Sequence, residues 1–351
     1  MSENNYFAVL VADKFNEFEL MMIDVMLKND KTDDEIKQFR ESDKCVEFIS
    51  DFAKSFVKSL FEGLDECLRE DDEFERADEN ALLEHLQSIY GVGISWMKQY
   101  RRKCFDICEG WHWYNKQNYE TSNNLINGKH HTFYALHGIQ SRALLVYAEI
   151  ICLLENGYPG GAKSLFRTLY ELWAVAEFLH HDTDEVADAF NKSRNNKLDN
   201  EKAHYKWASS SKRFEEKVAK GEAITINTIV QEAHNTFRKG REDDVSNSFL
   251  NKVYSFPNQI IHPSAKGVFR RLSYAPKGQE DGLVIGRADT GLSEPAINST
   301  VYMYNITCLY LSMVKNVVSA TGIQVLDYIA SQKIIPFFRE TEKREKEEYD
   351  K

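Results

Sequence analysis

Proline and glycine are scarce in this chain, at six and seventeen residues in 351. Neither is well tolerated inside helices, so their scarcity over so long a sequence points to an all-α fold. Cysteine is equally sparse. Six cysteines with no Cys-x-x-Cys pair exclude a dense disulfide framework and suit free thiols in a reducing, cytoplasmic setting. Basic charge is in deficit: 44 Lys and Arg against 55 Asp and Glu give a net charge of −11. Such a surface repels nucleic acid on average, so any RNA contact requires a local basic patch. Long apolar runs are missing too. No uninterrupted stretch reaches the roughly 18 to 20 residues that span a bilayer. The opening residues MSENNYFAVLVADKF lack a basic n-region and a small-residue cleavage site, so no secretory signal and no membrane partner are expected.

Familiar catalytic signatures are absent as well. Gly91-Val92-Gly93 and Tyr158-Pro159-Gly160-Gly161-Ala162-Lys163 lack Walker or dinucleotide spacing, and there is no nucleophile elbow or His-Glu-x-x-His. Cys104, Cys108 and His112 share one helix face but would spread over two turns, too far for one ion. His130, His131 and His137 suggest metal only faintly. No metal site and no cofactor are expected.

What is present is helical periodicity. Residues 6 to 28 read as one amphipathic helix and 33 to 68 as one or two more, followed by an intensely acidic stretch from Asp65 to Glu79. The pattern from Leu82 to Tyr119 is helical, with a break expected at Gly91–Gly93. Residues 120 to 131 read as a loop. An apolar helical hairpin spans Ser141 to His181, its turn marked by Gly157 and Pro159-Gly160-Gly161. Residues 184 to 220 read as one long polar helix and 225 to 240 as another. Short β-branched or aromatic runs around PKGQED read as a small β-hairpin near 268–288. A long apolar helix at about 296 to 320, ended by Gly322, and a last helix complete the pattern. The expected architecture is an all-α multi-helix bundle with that one hairpin. It comprises an acidic helical region at 1–85, a main bundle at 86–335 and a charged tail at 336–351.

Three residues stand out as candidates for chemistry. On the second helix of the hairpin, Lys163, Ser164, Arg167, Thr168 and Glu171 fall on one stripe that turns apolar at Ala174, Val175 and Phe178. Arg167 and Glu171 thus sit at the edge of a packed interface, where a guanidinium and a carboxylate need each other and further donors. Arg142 and Glu149 share a face of the preceding helix and could pair with them across the hairpin. About eighty residues on, YSFPNQIIHPSA sets His262 in apolar company, with Pro263 biasing it away from helical geometry. A histidine there can act as acid, base or structural donor. Asn258 precedes it by four residues; Tyr254, Asn258 and Ser264 are binding candidates beside Arg142. The basic and aromatic mixture at Tyr100-Arg101-Arg102-Lys103, near Trp96, Trp111 and Trp113, reads mainly as core aromatics with a solvated basic face.

The spaced set Arg142, Arg167-x-x-x-Glu171 and His262-Pro263-Ser264 resembles an uncharacterised bacterial family of helical proteins, over roughly residues 130 to 335. Asn258-x-x-x-His262 is also similar to the end of the motif in HEPN domains (higher eukaryotes and prokaryotes nucleotide-binding). Those are helical bundles, many of them ribonucleases of bacterial toxin and antiviral systems, with an Arg four to six residues before the His. Here Pro257 occupies the arginine position, and none of the ten histidines has an Arg at that spacing. Either Arg167 supplies the cation from another helix, or the ribonuclease analogy fails. The resemblance implies an RNA- or nucleotide-directed enzyme with Arg167, Glu171 and His262 as its catalytic set. The alternative is a non-catalytic interaction or sensor protein in which these residues form a buried polar network. The partners implied are RNA or nucleotide through a local patch, a second copy of the chain, or another protein.

Overall fold

The scarcity of helix breakers is realised as helix after helix. The structure is a computed structural model that describes residues 43–117, 128–194, 205–238, 272–273, 282–283, 287–313 and 317–349. The helix expected at 6–28, and Tyr254, Asn258, His262 and Ser264, lie outside the described residues. The chain divides into two units, 1–82 and 83–351. Helix α1 runs Asp43–Gln117 and so contributes to both. In the first unit its surface carries i,i+3 and i,i+4 ion pairs, Lys54–Asp51 and Arg69–Glu73.

The second unit is an all-α bundle. After α1 come α2 (His130–Glu155), α3 (Pro159–His180) and α4 (Asp184–Ser193). Two 3-10 turns, Lys206–Ser210 and Lys212–Phe214, lead into the short α5 (Glu215–Ala219) and α6 (Ile226–Arg238). The chain then forms α7 (Ser293–Ser312), α8 (Val317–Ile329), a π-helical segment at Ala330–Ile334 and α9 (Ile335–Tyr349). Leu272 pairs antiparallel with Leu283 and Ser273 with Gly282, a ladder two residues long; most of the remaining 268–288 segment lies outside the described residues.

The core lies where α2, α3 and α7 pack against one another, with α6 against α3 and α4 against α2. Its largest fully buried side chains include Trp173, Tyr147, Tyr170, Phe178, Tyr310 and Leu136. Burying each large apolar side chain contributes about 1.5–3 kcal/mol. The polar residues inside this core bond across helices: Gln140 Nε2 donates to Thr307 Oγ1 (2.9 Å), and Tyr147 Oη meets Thr300 Oγ1 (2.8 Å). Helix α2 is long and apolar enough to cross a membrane by length and composition, although it contains no uninterrupted apolar run. Half of its most apolar 18-residue stretch is buried inside the protein, as in the core helix of a bundle.

The α2–α3 hairpin turns as its sequence indicates. Gly157 adopts φ 73°, a left-handed conformation that favours glycine, and Pro159 opens α3 where a missing N–H costs nothing. Three other expectations are corrected. Gly91 and Gly93 do not break α1, which passes straight through them. A Cβ on Gly93 would lie 2.4 Å from Phe337 Cδ1 and 2.9 Å from Phe338 Cε2, so this glycine permits close approach of α9. Residues 184–220 do not form one helix. The hydroxyls of Ser209 and Ser210 donate to the carbonyls three residues back, at 2.6 and 2.7 Å, and the segment settles into 3-10 turns. Gly322 lies inside α8 rather than ending the helix before it, and its bare Cα faces Ile107. The π segment has a local cause in Pro336. It has no N–H to offer the carbonyl of Gln332 and its ring crowds that carbonyl, so the ladder widens just before it.

Candidate functional site

Helix α3 carries a polar line along one side. At 100° per residue Lys163, Arg167, Tyr170, Glu171, Ala174, Glu177, Phe178 and His181 fall within one arc. The cations on this line are neutralised locally. Lys163 Nζ lies 2.7 Å from Glu294 Oε2 of α7, and Arg167 Nε donates to Glu171 Oε1 at 2.9 Å. Arg167 and Glu171 each keep a quarter of their side-chain surface exposed. They sit at the margin of the packed interface, as the stripe pattern indicates. The Nε bond ties the guanidinium to a carboxylate one turn along the same helix.

One turn inward is a feature that sequence reasoning missed. Tyr170 Oη and His234 Nε2 are 2.5 Å apart, in a buried bond between α3 and α6. Aromatic rings enclose the pair: Trp173 lies 5.0 Å from His234, and Tyr302 lies 5.2 Å from Tyr170 and 5.3 Å from Trp173. Phe166 closes the cage 5.5 Å from Tyr302. Edge and tilted contacts at these separations contribute about 0.5–1.5 kcal/mol each beyond area burial. A readable signal existed. His234 occupies the apolar face of an amphipathic helix with Ile229, Val230 and Ala233, all buried.

Arg142 lies on the exposed side of α2. Among the described residues no ion pair joins Arg142 or Glu149 to Arg167 or Glu171, so the charge network across the hairpin is not formed there. His262, the third member of the expected catalytic set, lies outside the described residues, as do Tyr254, Asn258 and Ser264.

The remaining sequence candidates resolve into structure. Cys104 and Cys108 are buried between helices, and burial pushes the Cys104 thiol up to about 12 and that of Cys108 well above its ordinary value. The His112 side chain lies outside the described residues. No cluster of three His, Cys, Asp or Glu side chains suited to a metal occurs among the described residues. Tyr100 is core, whereas Arg102 and Lys103 pair with Asp106 on the surface of α1. That basic spot is thus partly neutralised.

Residues 133–280 match the profile of DUF5677, a family of unknown function. The matched segment spans under half of the chain and includes Arg142, Arg167, Tyr170, Glu171, His234 and His262. No curated protein and no solved structure matches the chain.

Proposed function

We propose that the chain is an RNA- or nucleotide-directed enzyme with HEPN-like chemistry, working in the cytoplasm, with its centre on the Arg167 face of α3. The observation that carries this reading is the Arg167–Glu171 pair: a partly buried guanidinium, anchored through Nε, on the helix that also carries Phe166, Tyr170 and Trp173 of the aromatic cluster. In the proposed step a ribose 2′-hydroxyl attacks the adjacent phosphorus. His262 accepts its proton, Arg167 stabilises the charge that grows on the phosphorane oxygens, and the 5′-oxygen leaves with a proton returned by a general acid. Glu171 acts on Arg167, holding it in place. The HEPN likeness and the toxin or antiviral setting rest on the residue pattern around Asn258 and His262 alone.

One observation favours the competing reading, a non-catalytic interaction or sensor protein. Arg167 and Glu171 satisfy each other along a single helix, as a structural pair does. Single-stranded RNA substrates of mixed sequence, incubated with wild type, Arg167→Ala and His262→Ala, separate the two. The enzyme reading expects cleavage by wild type and a loss of about 10²-fold or more in each variant, the scale of removing one charge-stabilising donor or general base. Equal activity in all three, or none in wild type, removes it.

A further inference from the structure

The far end of the same α3 line holds a buried carboxyl group that the proposed chemistry does not use. Glu177, on the last turn of α3, has a side chain only 6 % exposed, and its Oε1 lies 3.2 Å from His181 Nε2. Against this end of α3 sits the 3-10 turn Lys212–Phe214. Arg213 Nη2 donates to the His181 carbonyl at 2.6 Å, and Phe214 stacks on Phe178 at 5.3 Å.

The charges around Glu177 balance without it. From the turn, Arg213 is already matched twice: its Nε faces Asp182 Oδ2 at 3.5 Å, and its Nη1 faces Glu232 Oε1 of α6 at 3.1 Å. Arg213 Nη1 also donates to Thr236. From the start of α2, Lys129 Nζ donates to the carbonyls of His180 and Asp182. His180 is occupied with Ser312 of α7 at 2.9 Å. Lys129 and Arg213 supply two positive charges; Asp182 and Glu232 supply two negative ones. An ionised Glu177 would be a third carboxylate in this junction. Among the described residues His181 lies within ion-pair distance of its carboxyl, and the Arg213 guanidinium acts on it electrostatically, favouring the ionised form.

We propose that Glu177, His181 and Arg213 form a proton-operated latch, in which the protonated Glu177 carboxyl donates to a neutral His181 Nε2 and loss of that proton loosens the 205–219 segment from the end of α3. Protonation avoids an ionised carboxylate on Glu177, whose side chain is buried, while the His181 ring keeps 44 % of its surface in solvent. The titration behaviour agrees. Burial pushes Glu177 up to about 7, with Arg213 only partly opposing it. Burial, Arg213 and Lys129 together push His181 below its ordinary value.

A carboxyl whose folded pKa is raised stabilises the closed form at low pH, and that stability is lost as pH climbs from the unfolded value through the folded one. Taking 4.5 for the open form and about 7 for the closed form, the opening equilibrium rises about tenfold between pH 6 and pH 8. Hydrogen exchange of the full chain, corrected for intrinsic rates, reads this directly in peptides covering 205–219. Wild type is expected to show the tenfold rise. Glu177→Gln, which keeps the shape and a donor but cannot ionise, is expected to abolish it. A carboxyl-carbon NMR titration of wild type is a second readout that needs no variant, with Glu177 expected to titrate near pH 7. Titration below pH 5, a pH-independent segment in wild type, or an unchanged pH response in Glu177→Gln each overturns the latch.

Discussion

Replacing Gly93 by alanine tests whether α9 is seated on α1 as described. In an unobstructed helix, Gly→Ala gains about 1 kcal/mol from backbone entropy and helix propensity. At Gly93 the new methyl would meet Phe337 Cδ1 at 2.4 Å, Phe337 Cε1 at 2.5 Å and Phe338 Cε2 at 2.9 Å. Phe338 is fully buried, so its ring has no solvent to move into. Overpacking of this kind costs about 1–3 kcal/mol. The net expectation is between no change and about 2 kcal/mol of destabilisation, after the propensity gain is subtracted. Gly138 supplies the internal control. It lies exposed in the middle of α2, and an added methyl there would have nothing within 4 Å, so Gly138→Ala keeps the full gain. Thermal unfolding followed by circular dichroism compares the two. For a unit of this size 1 kcal/mol moves the midpoint by about 2–4 °C. Gly138→Ala is expected to raise the midpoint, and Gly93→Ala to leave it unchanged or lower it. Equal stabilisation by both would mean that α9 does not press on α1 at this point.

Tyr170→Phe removes the buried bond to His234 while keeping the ring, and is expected to cost about 1–3 kcal/mol in denaturant unfolding; a change within about 0.5 kcal/mol would show that the pair is not formed. Thiol labelling under native conditions, mapped by mass spectrometry, is expected to modify exposed Cys152 well before Cys104 and Cys108, whose burial keeps them protonated. Comparable rates at these three positions would contradict the burial of Cys104 and Cys108 on α1.

Much of the bundle was legible because local chemistry and tertiary packing agree there. Gly157 and Pro159 set the α2–α3 turn by their own backbone preferences. The polar-to-apolar transition along α3 located Arg167 and Glu171 at an interface edge, and they are half-buried there as a pair. Elsewhere the same rules misled for identifiable reasons. Gly91–Gly93 and Gly322 carry the composition of a helix break, yet Gly93 and Gly322 serve packing: each lets a neighbouring side chain approach a helix backbone closely, which a local reading does not reveal. The 184–220 segment has helical composition, but its serine hydroxyls compete for carbonyls and shorten it into turns. Tyr170–His234 and Glu177–His181 were overlooked for a different reason. Formal charge at i,i+4 spacing is visible in a sequence, whereas Tyr170 and His234 become partners only when α6 docks on α3. Glu177 and His181 do have that spacing, but their interest lies in burial, which charge counting along a sequence does not register.

Whether the Arg167 face of α3 handles phosphodiesters is measured most directly by RNA cleavage. Purified wild type is predicted to cleave single-stranded RNA to products ending in a 2′,3′-cyclic phosphate, with Arg167→Ala and His262→Ala slower by about 10²-fold or more while retaining the wild-type unfolding midpoint. Undetectable cleavage by wild type, or variants as active as wild type, would contradict that role and leave Arg167 and Glu171 as a structural pair.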